Sequence, residues 1–299
     1  MRKKEMALLA AAVSCWLSAC GMAAAEDRIY YGSGDGSNTG DISNVSWTLG
    51  DNYRFYGGHQ YFYAAYTKEG TVSHNTLTIR GGTYTVGGDT TSGSDKYSNY
   101  FYGGRSNESG SAVGNSIVIH NGNFINESGT WQAAGIYTAH ATGKGHAASE
   151  NSITVNNGDF QGYTYLSPGL GYDGADAVRN AITVNGGTFE KGIYIFGGRA
   201  YSTGNTDSNV VNVNGGTIGG YRAFIWGGKA DSGDARYNTV NLTGGAVASI
   251  PSEGSIYENK FTEYEQGDAE FYGGYALSGN ALYNTVNISG GSISTTGKG

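Results

Sequence analysis

Cysteine, proline and charge are all scarce in this chain, and each scarcity removes a class of protein. Its 299 residues include two cysteines, Cys15 and Cys20, both near the amino terminus. No disulfide framework can therefore staple the remainder, whose stability has to come from packing. Two prolines exclude collagen-like and proline-rich disordered chains. Charged residues make up 14% of the chain and the formal net charge is −7. Removing residues 1–25, which carry three basic and one acidic residue, takes it to −9. Nucleic-acid binding needs a cationic face, so no nucleic-acid partner is expected. No run beyond residue 25 is long and apolar enough to cross a membrane as a helix. The Gly-x-Ser-x-Gly, His-Glu-x-x-His and P-loop signatures are missing, and no cofactor is implied.

What the chain does have is glycine, tyrosine and a recurrent phrase. Glycine accounts for 52 residues and tyrosine for 24, a glycine share of about 17% against a usual value of about 7%. Glycine without proline, beside many β-branched residues, points to short strands joined by tight turns. Phe271-Tyr-Gly-Gly-Tyr-Ala-Leu-Ser-Gly-Asn-Ala-Leu-Tyr-Asn-Thr-Val-Asn-Ile-Ser-Gly-Gly-Ser-Ile293 gives the phrase in full. It has two halves: an aromatic pair entering Gly-Gly, and Asn-x-Val-x-Ile entering a second Gly-Gly. The asparagine opening the second half recurs at 75, 115, 151, 180, 209, 238 and 284. Three consecutive intervals of 29 residues define one supersecondary unit, and the longer intervals carry inserted loops.

Within a unit the residues alternate. Asn180, Ile182 and Val184 fall on one strand face and Ala181, Thr183 and Asn185 on the other. Gly-Gly turns the chain, and an apolar residue follows: Phe189, Ile218, Val247 or Ile293. Units of this size cannot bury their own apolar face, but stacked on like neighbours they enclose a continuous core. The expected fold is all-β, a parallel β-helix of about seven repeat coils. A propeller blade needs about 40–45 residues and Trp-Asp signatures, and a sandwich gives no recurrent phrase.

Residues 1–25 read as a signal peptide: the basic Met1-Arg2-Lys3-Lys4, an apolar run from Ala7 to Ala19, and Ala23-x-Ala25 before Glu26. A second processing route stays open, because Leu17-Ser18-Ala19-Cys20 resembles a lipobox in which Cys20 would be lipidated. Residues 26–52 match the repeat poorly and are expected to cap the solenoid, with Ile42, Val45, Trp47 and Leu49 as the apolar contribution. The repeat region is 53–299, with an acidic inserted loop at about 248–268 holding Glu253, Glu258, Glu263, Glu265 and Asp268. The chain stops just after a Gly-Gly with no further coil, and is expected to be the front of a longer protein.

The phrases Phe-Tyr-Gly-Gly-Tyr-Ala-x-Ser-Gly and Asn-Thr-Val-Asn-Ile-Ser-Gly-Gly resemble the passenger repeats of type V secreted autotransporter adhesins of Gram-negative bacteria, of the haemagglutinin-like kind. That resemblance covers about residues 53–299. It implies export, a β-helical passenger displayed at the cell surface, and a membrane barrel that would follow this chain. It also implies partners among surface glycans or host proteins.

Two site readings follow from the residues. Parallel β-helices also support polysaccharide lyases and hydrolases, which need clustered carboxylates. The candidates are Asp173, Asp176, Asp207, Asp231 and Asp234, and they show no recurring register. The other reading is a row on the outer strand face. Tyr56, Tyr102, Phe196, Trp226 and Tyr272 precede the first Gly-Gly, and Arg105, Arg199 and Lys229 lie three residues beyond three of them. Phe55, Phe101, Ile195, Ile225 and Phe271 alternate with these and are assigned to the core. An exposed row of aromatics beside cations would suit sugar rings or a protein partner. The same row could instead serve only to stack adjacent coils.

Overall fold

The computed structural model describes residues 28–33, 37–86, 98–126, 132–220, 222–249 and 268–295. The signal segment with Cys20, and residues 250–267 of the acidic insert, lie outside these. Among the described residues there are strands and turns but no helix, so none is available to cross a membrane. Every pairing between the named strands is parallel, and the strands form four sheets. The chain is a parallel β-helix.

Each coil contributes one strand to each sheet. The first sheet holds Arg28–Ser33, Gln60–Glu69, Asn99–Ser109, Gln132–Thr142, Tyr163–Tyr172, Gly192–Phe196, Arg222–Trp226 and Asp268–Tyr272. In the last three coils the short strands Arg199–Ala200, Lys229–Ala230 and Tyr275–Ala276 complete it. The second sheet runs from Ile42–Ser43 to Ala281–Leu282, the third from Ser46–Leu49 to Thr285–Ile288, and the fourth from Arg54–Gly57 to Ser292–Thr295. This makes eight coils, one more than the asparagine markers. The extra one is the first, where Val45 occupies the asparagine position and segments 28–33 and 42–57 pair in register with the second coil.

The marker asparagines form a buried ladder. Asn180 shows the pattern. Its Nδ2 donates to Ala148 O (2.9 Å) and to Asn209 Oδ1 (2.9 Å). Its Oδ1 accepts from the backbone N–H and the Nδ2 of Asn151, both at 3.0 Å. All four hydrogen-bonding positions of the amide are filled, as burial demands. The pattern repeats from Asn75 through Asn115, Asn151, Asn180, Asn209 and Asn238 to Asn284. At the first coil the backbone N–H of Val45 supplies the last donor, to Asn75 Oδ1 at 2.9 Å.

The ladder explains the second glycine of the first Gly-Gly. A Cβ on Gly169, Gly198, Gly228 or Gly274 would lie within 2.6 Å of the asparagine amide of its own coil. Ala65 and Ala139 hold the same register position and are fully buried, so two of the coils accommodate a methyl there. The residue just before each ladder position is left-handed in all eight coils. Asn44, His74, Gly114, Glu150, Arg179, Ser208, Tyr237 and Tyr283 have φ between 54° and 64°. Only one of the eight is glycine, although other residues are strained there.

Between the sheets the core is apolar and layered. Phe55, Tyr84, Phe124, Phe160 and Phe189 stack down the fourth sheet at 5.4, 5.1, 4.5 and 4.6 Å between ring centroids. Tyr30, Phe62 and Phe101 stack beside them at 4.9 and 4.8 Å, edge-on to the first column. Such pairs add roughly 0.5–1.5 kcal/mol each beyond the area they bury. Later coils continue the columns with Ile195, Ile225, Ile218 and Val247, all at most 1% exposed. Trp47 and Phe271 pack against this core and Leu49 lies within it. Val286 and Ile288, register partners of the buried Val240 and Leu242, are 38% and 55% exposed because, among the described residues, the eighth coil has a neighbour on one side only.

Candidate functional site

Outward-facing residues of the first sheet line up in columns along the solenoid axis. One column reads Tyr31, Tyr63, Tyr102, Tyr137 and Ser167 through the first five coils, and Phe196, Trp226 and Tyr272 through the last three. Beyond the bend runs a second: Tyr66, Arg105, His140, Leu170, Arg199, Lys229 and Tyr275. Seven of the eight expected site residues, Tyr102, Phe196, Trp226, Tyr272, Arg105, Arg199 and Lys229, therefore do share one face.

Tyr56 does not. It belongs to the strand Arg54–Gly57 of the fourth sheet, where its register partner is Thr85. The second coil's place in the aromatic column is taken by Tyr63, in Tyr61-Phe62-Tyr63-Ala64-Ala65. Ala-Ala replaces Gly-Gly there, which hid this copy of the phrase, and the nearby Gly57-Gly58 stood in for it. Spacing could have revealed the substitution. The second small residue precedes the ladder asparagine by ten to twelve positions in the other coils, but Gly58 precedes Asn75 by seventeen. Tyr137, His140 and Leu170 went unrecognised for the same reason, since neither Thr138-Ala139 nor Pro168-Gly169 looks like Gly-Gly.

The row is outward-facing but closed over itself. Tyr102, Phe196 and Trp226 are 7%, 5% and 9% exposed, and Tyr272 is 41% exposed. Tyr194, Phe196 and Trp226 form a cluster of their own on the outside of the sheet, flanked by Tyr163, Tyr165, Phe224 and Tyr275. Trp226 meets Phe196 edge-on at 5.4 Å and stacks on Tyr275 at 5.0 Å. These contacts are the coil-to-coil stacking foreseen as the plainer role of the row.

The cations lie in this aromatic bed. Arg105 sits 5.2 Å from the Tyr102 ring and hydrogen-bonds Tyr63 Oη (3.2 Å) and Asn107 Oδ1 (2.8 Å). Arg199 lies 4.3 Å from the Tyr201 ring and 5.1 Å from Phe196. The Lys229 ammonium is 4.9 Å from Trp226 and 5.9 Å from both Phe196 and Tyr275. Cation–π attraction holds such groups without neutralising them. Burial, with the neighbouring Arg199 charge, lowers the Lys229 pKa. Burial also raises the Tyr63 hydroxyl to about 12 and, aided by the Arg105 charge, drives His140 down to about 3. His140 is 8% exposed and lies against Tyr172, the ring centroids 4.3 Å apart and the planes tilted by 47°; its burial keeps it neutral.

The carboxylates proposed for lyase or hydrolase chemistry occupy a different corner. Asp176 Oδ1 accepts the backbone N–H of Asn205 at 2.7 Å, Asn205 Oδ1 that of Asp234 at 2.9 Å, and Asp234 Oδ1 that of Asn280 at 2.8 Å. This is a second ladder, capping turns at the surface. The Asn280 N–H and the Arg236 guanidinium hold the Asp234 carboxyl below its usual range. A shallow groove of about 260 Å³ is lined here by residues including Asp176, Arg179, Asn205, Asp207 and Arg236. Its cations are paired, Arg179 with Glu150 at 2.7 Å and Arg236 with Asp234. Asp173 is a left-handed turn residue and Asp231 lies near Lys229. Among the described residues no three His, Cys, Asp or Glu side chains come together as a metal-holding group.

Fold and surface together define a β-solenoid that carries a polar ladder inside and an aromatic–cationic stripe outside. No protein-family model, curated protein or solved structure matches the chain.

Proposed function

We propose that the protein is an exported, surface-associated β-solenoid that binds through the outer stripe of its first sheet, as an adhesin-like passenger does. The observation that carries this reading is the bed of Phe196, Trp226, Tyr272 and Tyr275 around Lys229 and Arg199. It gathers the aromatic and cationic groups that contact sugars and proteins onto one face. The signal-like segment and the resemblance of the repeats to autotransporter passengers support display outside the cell. On this reading the coils are scaffold, and chemistry is not the purpose of the scattered carboxylates.

The test is adhesion. Cells or beads displaying the full chain should attach to glycan-coated or host-cell surfaces, and Trp226→Ala with Tyr272→Ala should lower attachment about tenfold while circular dichroism shows the chain still folded at the assay temperature, the Trp226 truncation itself lowering the melting temperature because that side chain is packed between coils. Attachment unaffected by the pair would remove the stripe from the account. The alternative, a polysaccharide-processing enzyme, predicts new reducing ends or unsaturated products on pectin-like or mucin-like glycans. It also predicts their loss in Asp231→Asn or Asp234→Asn.

A further inference from the structure

The cations of this molecule divide into two kinds. Arg179 and Arg236 each face a carboxylate. Arg199 and Lys229 are register partners on adjacent strands of the first sheet, so two positive charges sit one strand spacing apart, about 4.8 Å between backbones. Among the described residues neither makes an ion pair. Asp231 is close enough to favour the Lys229 charge, but the two are not within ion-pair reach. Like charges held side by side without an ion-pair partner are unfavourable, and here they persist against aromatic rings rather than in open solvent.

A second, independent observation lies in the same place. Trp226 is 9% exposed, and its indole N–H is buried with no acceptor. The Arg199 Nε–H is buried without one as well. Buried donors are nearly always satisfied, and an exception calls for an explanation. Two unsatisfied donors and two cations without an ion pair, all within the sixth and seventh coils, call for the same complement: an anionic oxygen.

We propose that Arg199, Lys229 and Trp226 form a binding site for the carboxylate or sulfate ester of an acidic glycan lying along the solenoid axis. The proposal rests on the reading of the stripe as a binding face and names its ligand class. The guanidinium offers a planar fork to the anionic oxygens and Lys229 a point charge, while Tyr272 and Tyr275 flank the site to meet the sugar ring. Arg105 occupies the same column three coils away, roughly 14 Å by strand spacing, where its own Nε–H is buried without an acceptor. An extended polymer along the axis would meet both points. The overall negative charge of the chain repels polyanions elsewhere, so binding should depend on this patch and weaken with salt.

Titrating the full chain with polygalacturonate (carboxylate only), dextran sulfate (sulfate only), uncharged dextran and double-stranded DNA tests the proposal. At least one acidic glycan should bind, and uncharged dextran should not. The pair Arg199→Gln and Lys229→Gln should lower affinity at least tenfold. The control pair Arg179→Gln and Arg236→Gln makes the same change in net charge and should stay within twofold. Should the first pair fail to fold, Lys229→Gln alone reads the site, with Lys229→Arg expected to retain binding. Equal losses in the two pairs, or DNA binding as tight as either glycan, would mean a generic charge effect and overturn the site. No binding by either acidic glycan would overturn it too. The adhesion assay with Trp226→Ala and Tyr272→Ala would still decide separately whether the stripe binds neutral sugars or protein.

Discussion

The inner asparagine ladder and the outer stripe are built on the same coils and obey opposite rules. Inside, one residue type repeats seven times and the amide of Asn180 has every hydrogen-bonding position filled. Outside, the equivalent column changes from Tyr66 to Arg105, His140, Leu170, Arg199, Lys229 and Tyr275, and it leaves donors unsatisfied. The interior tolerates little variation because an unpaired buried polar group costs about 1–3 kcal/mol. The outer column is not tied to one repeated hydrogen-bonding group, and its chemistry varies from coil to coil. A scaffold held by a uniform interior leaves its surface available for recognition.

The sharpest way to break this contrast is inside. Asn180→Leu would take the side-chain partner from the Asn151 N–H and Nδ2 and from Ala148 O at once, while Asn209 Oδ1 keeps the backbone N–H of residue 180, costing on the order of 5 kcal/mol. Chemical denaturation should then show a lower midpoint, and a loss below 1 kcal/mol would mean the ladder is not a main source of stability. Phe160→Ala opens the centre of the ring column and should cost about 4 kcal/mol, read by the same measurement. Outside, His140 gives the stripe a pH dependence that the uncharged ladder lacks. Its folded pKa, about 3, lies below the unfolded value of about 6.5. Its contribution is therefore complete above pH 6.5 and lost as pH falls toward 3, at about 1.4 kcal/mol per pH unit. Melting curves between pH 7 and 4 should be flatter for His140→Gln than for the parent.

Smaller effects sharpen the picture. Ser208→Gly relieves one left-handed corner and should raise stability by about 0.5 kcal/mol, strain relief being partly offset by glycine's unfolded-state entropy. Tyr56→Ala should leave adhesion and glycan binding unchanged, because Tyr56 lies on the fourth sheet. An effect there as large as that of Trp226→Ala would dissolve the distinction between stripe and scaffold.

How much the sequence disclosed follows from the same contrast. The asparagine recurs because the ladder cannot do without it, so the 29-residue coil, the parallel stacking and the inward Ile182 and Val184 could be read directly. The outer column follows no such requirement, and its members could be found only where Gly-Gly marked the bend. Where Ala64-Ala65, Thr138-Ala139 or Pro168-Gly169 does that job, Tyr63, His140 and Leu170 were missed and Tyr56 was taken instead. Burial of the row was hidden for another reason. Alternation tells the face a side chain leaves from, but not that Phe196 and Trp226 would fold against each other over it.

The ladder also gives the solenoid a direction. From Asn75 to Asn238 each asparagine Nδ2 donates to the Oδ1 of the asparagine in the next coil, so the side-chain amide dipoles align head to tail, as peptide dipoles do in a helix. A chain of such bonds polarises its members. Its two faces are then unlike, one offering an acceptor oxygen and the other a donor hydrogen. A coil carrying the asparagine continues the ladder in the parallel sense and in the register that sets amide on amide, while the first coil meets Asn75 Oδ1 with the backbone N–H of Val45 instead. The order of assembly is thus encoded along the axis by a single repeated side chain.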